Sequence, residues 1–192
     1  MVGFAATASF RSDAPPIGGD AYGSIEAQLA QFEQLEGPPV VVFQDLDDPP
    51  VAAVFGEVMC STYKAFGAQG LVTGGAGRDL EQVRAIGFPI FTGGTIASHG
   101  YCHILHLGLP VRVGGVTIRQ GELLHGDANG VAVIPPEIAA EVADLCPEFI
   151  DAEKLMLDYV QSPGPKQREK FIELRRAFQA RVAELKKRVA RG

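Results

Sequence analysis

The chain contains no tryptophan, only three cysteines, and no apolar run near the roughly 20 residues that a membrane helix needs. Each scarcity excludes something. Cys60, Cys102 and Cys146 are odd in number, widely spaced and free of any CxxC pairing, so neither a disulfide framework nor a zinc knuckle is indicated. A reducing compartment fits. The opening "MVGFAATASF" lacks a basic segment followed by a long apolar core, so no secretory leader is read there, and a cytoplasmic protein without a membrane partner is expected. Positive charge is scarce as well. With 17 Lys and Arg against 23 Asp and Glu, the formal charge is -6, which disfavours nucleic acid as a partner unless a basic patch is segregated. Only the run from Lys166 to Arg191 offers one. Glu169, Glu173 and Glu184 interrupt it, so it reads as a solvated helix with i,i+4 pairing.

What is present is enough apolar material, 46% of 192 residues, for a single domain with a real core. "FAATASF" and the proline-bracketed "PPVVVFQDLDDPP" predict strands. Between them, Ser24 as N-cap and the spacing of Ile25, Leu29 and Phe32 predict a helix ending at Gly37. A strand then gives way at Gly56 to a helix stopping near Gly67, and "GLVTGG" follows as a strand, which reads as a parallel crossover. Turn, helix "RDLEQVRAIG" and strand "PIFTGG" repeat the pattern. From Val111 the alternation and the turns at Gly114-Gly115, Gln120-Gly121 and Asp127 to Gly130 predict antiparallel hairpins. The tail from Pro136 is helical and broken at Ser162 to Pro165. Its last helix carries Phe171, Leu174, Phe178, Val182, Leu185 and Val189 on one stripe, which suggests packing on another subunit. The fold class expected is α/β with β-rich hairpins, a core over 1–150 and a helical tail over 151–192.

Two turns carry the candidate chemistry. A glycine-led entry into a helix at Gly56 exposes the backbone N–H groups of Glu57, Val58 and Met59, which suit a carboxylate. In "GGAGRD", Arg78 offers a planar cationic fork for the same anion, and Asp79 is a hard oxygen ligand of the kind that holds Mg²⁺ through one carboxylate. Both turns fall at the carboxyl ends of strands, where ligands gather in open α/β sheets. From spacing alone, Asp79 as a helix cap and Arg78 as a surface ion-pair partner is the commoner reading. His99, His103 and His106 read as leading into a strand rather than lining a zinc site, with His99 kept as a substrate contact. Asp127 reads as a hairpin-turn residue, and Asp45, Asp47 and Asp48 as a solvated loop. Cys60 follows the anion turn, where a helix N-terminus could lower its pKa, but it reads as packing.

The stretches "FGEVMCSTYKAFGAQGLVTGGAGRDLEQVRAIGFPIF" and "VRVGGVTIRQGELLHGDANGVAVIP", in this order and spacing, resemble the RraA-like family. That family includes divalent-metal-dependent 4-hydroxy-4-methyl-2-oxoglutarate aldolases and regulators of RNase E activity. The resemblance implies a β/β/α swivelling-type domain assembled as a homotrimer or a dimer of trimers. It implies a small 2-oxoacid substrate and Mg²⁺ or Mn²⁺ as cofactor. It implies that Gly56, Glu57, Val58 and Met59 cradle the substrate carboxylate, that Arg78 steadies the developing enolate, that Asp79 ligates the metal, and that Glu57 reaches the metal through water. A glutamate from a neighbour's C-terminal segment would complete the site, with Glu153 the choice and Glu148 behind it. The chain departs from the family at Gln82, where an acid is usual and Glu81 stands beside it, and at Glu57, where the known aldolases carry aspartate. It opens almost at the first core strand, so a version shortened at its N-terminus is expected.

Overall fold

The computed structural model describes residues 1–17 and 25–189, in two compact units, Met1–Ile134 and Pro135–Gly192. The division falls where Pro135 and Pro136 follow the last strand, earlier than the boundary at 150 expected from sequence. The first unit contains β1 (Val2–Arg11), α1 (Ile25–Phe32), β2 (Pro39–Asp45), β3 (Ala53–Phe55), α2 (Glu57–Ala65), β4 (Leu71–Thr73), β5 (Ala76–Gly77), α3 (Leu80–Ala85), β6 (Ile90–Phe91), β7 (Gly94–Thr95), β8 (His103–Leu107), β9 (Val111–Val113), β10 (Val116–Ile118), β11 (Leu123–Asp127) and β12 (Gly130–Ile134). The predicted cap Ser24 lies outside the described residues. Helix α1 ends at Phe32 rather than Gly37, because Gln34 and Leu35 bond back to Gln31 and Phe32 in tight i,i+3 turns.

A seven-stranded sheet runs β12-β11-β1-β2-β4-β6, with β8 also paired to β1. β1, β2, β4 and β6 are mutually parallel, and β8, β11 and β12 add antiparallel partners. Side-chain alternation sorts the central strands onto two faces. Ala6, Ala8, Phe10, Val41 and Phe43 meet Val54, Phe55, Cys60 and Tyr63 on one side. Ala5, Val40, Val42, Val72 and Leu124 meet Val111, Val113 and Ile118 of the β9-β10 hairpin on the other. Burial on both faces explains why β2 reads as a near-continuous valine run.

The expected crossover is corrected here. β3 and β4 flank α2 in sequence but lie in different sheets: β4 joins β2 and β6, whereas β3 forms a second parallel sheet with β5 and β7. The second sheet has short strands and few side chains, which hides it from pattern reading. It is nonetheless well bonded: Arg78 N–H donates to Phe55 O at 3.1 Å and Ile96 N–H to Gly77 O at 3.0 Å. Asp45 and Asp47 also depart from a solvated loop. The buried Asp47 carboxylate accepts the Ser12 amide at 2.7 Å and lies 3.6 Å from Arg11 Nε. Burial raises the Asp45 carboxyl above its ordinary value against the lowering effect of the Asp47 amide, and the Asp47 charge adds to the rise.

The second unit is a helical hairpin of α4 (Ala139–Gln161) and α5 (Arg168–Val189), entered through a short 3₁₀ turn at Pro136–Ile138. The apolar stripe of α5 packs on α4 of the same chain. Phe149 and Phe178 stack edge-on with centroids 6.1 Å apart, Leu145, Ala152 and Leu185 are buried, and Glu148 pairs with Arg188 at 2.8 Å. The basic tail is laced with acids as expected, although Lys170-Glu173 and Glu184-Lys187 pair at i,i+3.

Candidate active site

The turns after β3 and β5 are side by side because these strands are parallel neighbours, with Phe55 registered opposite Gly77. Two glycines make the close approach possible. A Cβ on Gly77 would enter the Phe55 ring, and a Cβ on Gly56 would stand 2.7 Å from Asp79 Oδ2 and 3.1 Å from Arg78 Nε. The preceding Gly74-Gly75 turn is held from below, since Gly75 O accepts both the Gly93 amide at 3.0 Å and Thr92 Oγ1 at 2.8 Å.

Asp79 occupies the N-cap position of α3 without capping it. Its side chain makes no bond to the helix, and its backbone is left-handed, φ 55° and ψ 36°, unlike any other non-glycine described residue. That conformation turns the carboxylate toward α2, where Oδ2 accepts the Glu57 amide at 3.0 Å and lies 3.7 Å from Arg78 Nε. The plain helix-cap reading of Asp79 is therefore replaced. Strain held in place by surrounding structure is the kind found at ligand sites. Glu57 N–H is engaged by Asp79, but Cys60 is the first α2 residue to bond back, to Gly56 O at 3.0 Å, so helical geometry leaves the Val58 and Met59 amides without intrahelical acceptors.

A cavity of about 370 Å³ gathers Gly56, Glu57, Val58, Met59, Arg78, Asp79 and His99, together with Phe10, Ile25, Val54, Phe55 and Cys102. Phe10, Ile25 and Cys102 were missed in the sequence, where β1, α1 and the segment before β8 gave no sign of converging on the two turns. Glu81 and Gln82 lie on the exposed side of α3 and do not line it. His103 and His106 are engaged elsewhere, with the Tyr101 carbonyl at 2.8 Å and, across the β1-β8 pairing, with Ser9 Oγ at 3.0 Å. Among the described residues, no three His, Cys, Asp or Glu side chains converge as a metal cluster. Glu153 is exposed on α4, and Glu148, the second choice, is tied to Arg188. Burial, with the Asp79 charge adding, pushes the Cys60 thiol up to about 12, so it is packing rather than an activated nucleophile. Asp127 is the turn residue expected: it accepts the Asn129 amide at 2.8 Å, and that bond holds its carboxyl below the ordinary range.

A glycine-led helix entry, a cationic fork and a strained carboxylate meet in one cavity at the carboxyl ends of parallel strands, in an α/β protein with a second, smaller parallel sheet. The chain belongs to the RraA-like family (Aldolase/RraA), matched over residues 1–133. It is 38% identical over 107 residues, 55% of its length, to a Halalkalibacterium halodurans protein named "Putative 4-hydroxy-4-methyl-2-oxoglutarate aldolase". The match spans half the length of that relative. A Pseudomonas syringae pv. tomato protein of the same name is 28% identical over 62% of this chain and 79% of its own. Among solved structures, Streptomyces coelicolor RraAS2, described as an unusual member of the RNase ES inhibitor RraA protein family, superposes with a TM-score of 0.63 at 25% identity. The superposition covers 80% of this chain and 74% of that one. No described helix is long and apolar enough to cross a membrane.

Proposed function

We propose that the protein is a divalent-metal-dependent carbon-carbon lyase that cleaves a small 2-oxoacid and releases pyruvate. The observation that carries this reading is the meeting of the Gly56–Met59 turn, Arg78 and the strained Asp79 in one cavity. The donor set suits a hard cation, because Mg²⁺ or Mn²⁺ needs only one or two carboxylates and keeps water in its other positions. Asp79 would hold it directly, with Glu57 reaching it through water. When bound, the cation polarises the substrate's 2-keto group. The Val58 and Met59 amides orient the substrate carboxylate, and the Arg78 guanidinium stabilises negative charge developing on the keto oxygen as the C–C bond breaks. A trimer in which Glu153 of a neighbouring copy completes the site belongs to the same proposal.

The deciding experiment is pyruvate release from oxaloacetate and 4-hydroxy-4-methyl-2-oxoglutarate, with Mg²⁺ or Mn²⁺ and then with EDTA. Metal-dependent release above the free-metal background is expected. A folded protein that releases none from these or from longer 4-hydroxy-2-oxoacids would favour a second reading, a non-catalytic binding protein of the regulator type, to which the likeness to RraAS2 lends support.

A further inference from the structure

The sequence Thr-Gly-Gly occurs twice, at 73–75 and 92–94, and each copy carries the chain from a strand of the main sheet into a strand of the second one. The two turns are bonded to each other. Thr73 Oγ1 accepts the Gly75 amide at 3.0 Å, and Gly75 O accepts the Gly93 amide at 3.0 Å and the Thr92 hydroxyl at 2.8 Å. Thr92 Oγ1 also lies 3.0 Å from Gly94 O, so one side chain spans the link into β5 and the start of β7. The turns press so closely together that a Cβ on Gly93 would enter Gly74 O.

Only Ala76 and Gly77 separate this junction from Arg78 and Asp79. A strand of two residues has little of its own to fix its register, and β5 takes it from its neighbours. Ala76 and Gly77 stand opposite Gly94 and Thr95, the Arg78 amide donates to Phe55 O, and the Ile96 amide donates to Gly77 O. A slip of β5 along β7 would carry the guanidinium and the carboxylate with it, and a misplacement of about 1 Å at a reacting group costs about a hundredfold in rate. Thr92 is partly buried and stands outside the described lining of the cavity, so its influence on a ligand runs through Gly75.

We infer that Thr92 is a positioning residue: its hydroxyl, clasped between Gly75 O and Gly94 O, holds β5 in the register that places Arg78 and Asp79 in the cavity. The effect on turnover rests on the lyase reading above. Removing the hydroxyl leaves Gly75 O with the Gly93 amide, so that buried carbonyl is not orphaned and the fold should survive. The Val58 and Met59 amides that orient the substrate carboxylate belong to α2 and are not carried by β5. The loss therefore falls on kcat rather than on KM.

The test compares Thr92→Val, Thr92→Ala and Thr92→Ser in the intact protein, by amide hydrogen exchange read residue by residue with NMR and by pyruvate release at saturating Mg²⁺. In the valine and alanine variants the Arg78 and Ile96 amides should exchange about tenfold or more faster, while the Val41 amide, bonded to Gly70 O in the main sheet, keeps its wild-type rate. Their kcat should fall about tenfold or more with KM within about twofold, and serine should restore both readouts. Wild-type exchange at Arg78 and Ile96, an undiminished kcat beside an active wild type, equal acceleration at Val41, loss of the fold in both hydroxyl-free variants, or no rescue by serine would each overturn the inference. Faster exchange confined to Arg78 and Ile96 and rescued by serine, in a protein whose wild type releases no pyruvate, overturns the lyase reading and leaves the positioning role of Thr92 standing.

Discussion

Asp79 adopts a left-handed backbone that costs a residue with a Cβ about 1–2 kcal/mol, and glycine much less. The carboxylate is what the strain positions. Removing it as Asp79→Ala or as Asp79→Gly should abolish metal-dependent pyruvate release in both variants, but the glycine variant should be more stable by about 1 kcal/mol in chemical denaturation. Equal stabilities would mean that the conformation is not strained. Arg78→Lys keeps the charge and loses the planar fork, so kcat/KM should fall about a hundredfold with the fold unchanged. Gly56→Ala tests the geometry from the other side. At φ -154° the backbone accepts alanine, but the new methyl would stand 2.7 Å from Asp79 Oδ2, so both charged groups must move. A loss of about tenfold or more in turnover, with a melting temperature close to wild type, is expected.

At the scale of elements, α2 sets two influences against each other at Cys60. The helix N-terminus favours a thiolate, whereas burial, with the Asp79 charge adding, disfavours it, and burial wins: the pKa rises from 9.0 to about 12. The unfolded chain therefore releases the thiol proton first. The stabilising contribution of the neutral thiol is complete below pH 9 and lost as pH climbs toward about 12, so denaturation midpoints should fall over that window and fall less in Cys60→Ala. In native protein at pH 8, a thiol reagent should label the exposed Cys146 and spare the buried Cys60 and Cys102 until unfolding. The same elements show what the sequence could disclose. The valines of β2, the glycine-led entry to α2 and the turn at Asp127 were legible because each is a local pattern. The β3-β5-β7 sheet was not, since strands of two or three residues have no period to read. Neither was the apolar lining of the cavity, since Phe10, Ile25 and Cys102 are distant in sequence: β8, which follows Cys102, pairs with β1, and the Cys102 thiol donates to Ala53 O at 3.7 Å. Arg78 and Asp79 were visible as a pair, but the left-handed turn that aims Asp79 away from its own helix is a backbone fact that no side-chain spacing encodes.

At the scale of the whole molecule, the α4-α5 hairpin answers part of the question raised by its apolar stripe, because α4 covers α5 within one chain. Glu153 remains exposed on α4, available to another copy. If the proposed trimer shares its sites, each site draws Asp79 from one chain and Glu153 from the next, as a head-to-tail ring requires. Asp79→Ala and Glu153→Gln chains, each inactive by itself, should then complement each other when unfolded together and refolded as a mixture. In an equal mixture, a site needs an intact Asp79 on its own chain and an intact Glu153 on the neighbour, so about one quarter of wild-type turnover should return. The reassembled oligomer is read by light scattering and the activity by pyruvate release. A mixture as inactive as its parents would exclude sharing through Glu153. A Glu153→Gln protein with full activity would remove this glutamate from the site, leaving the Gly56–Met59 turn, Arg78 and Asp79 to act within a single chain.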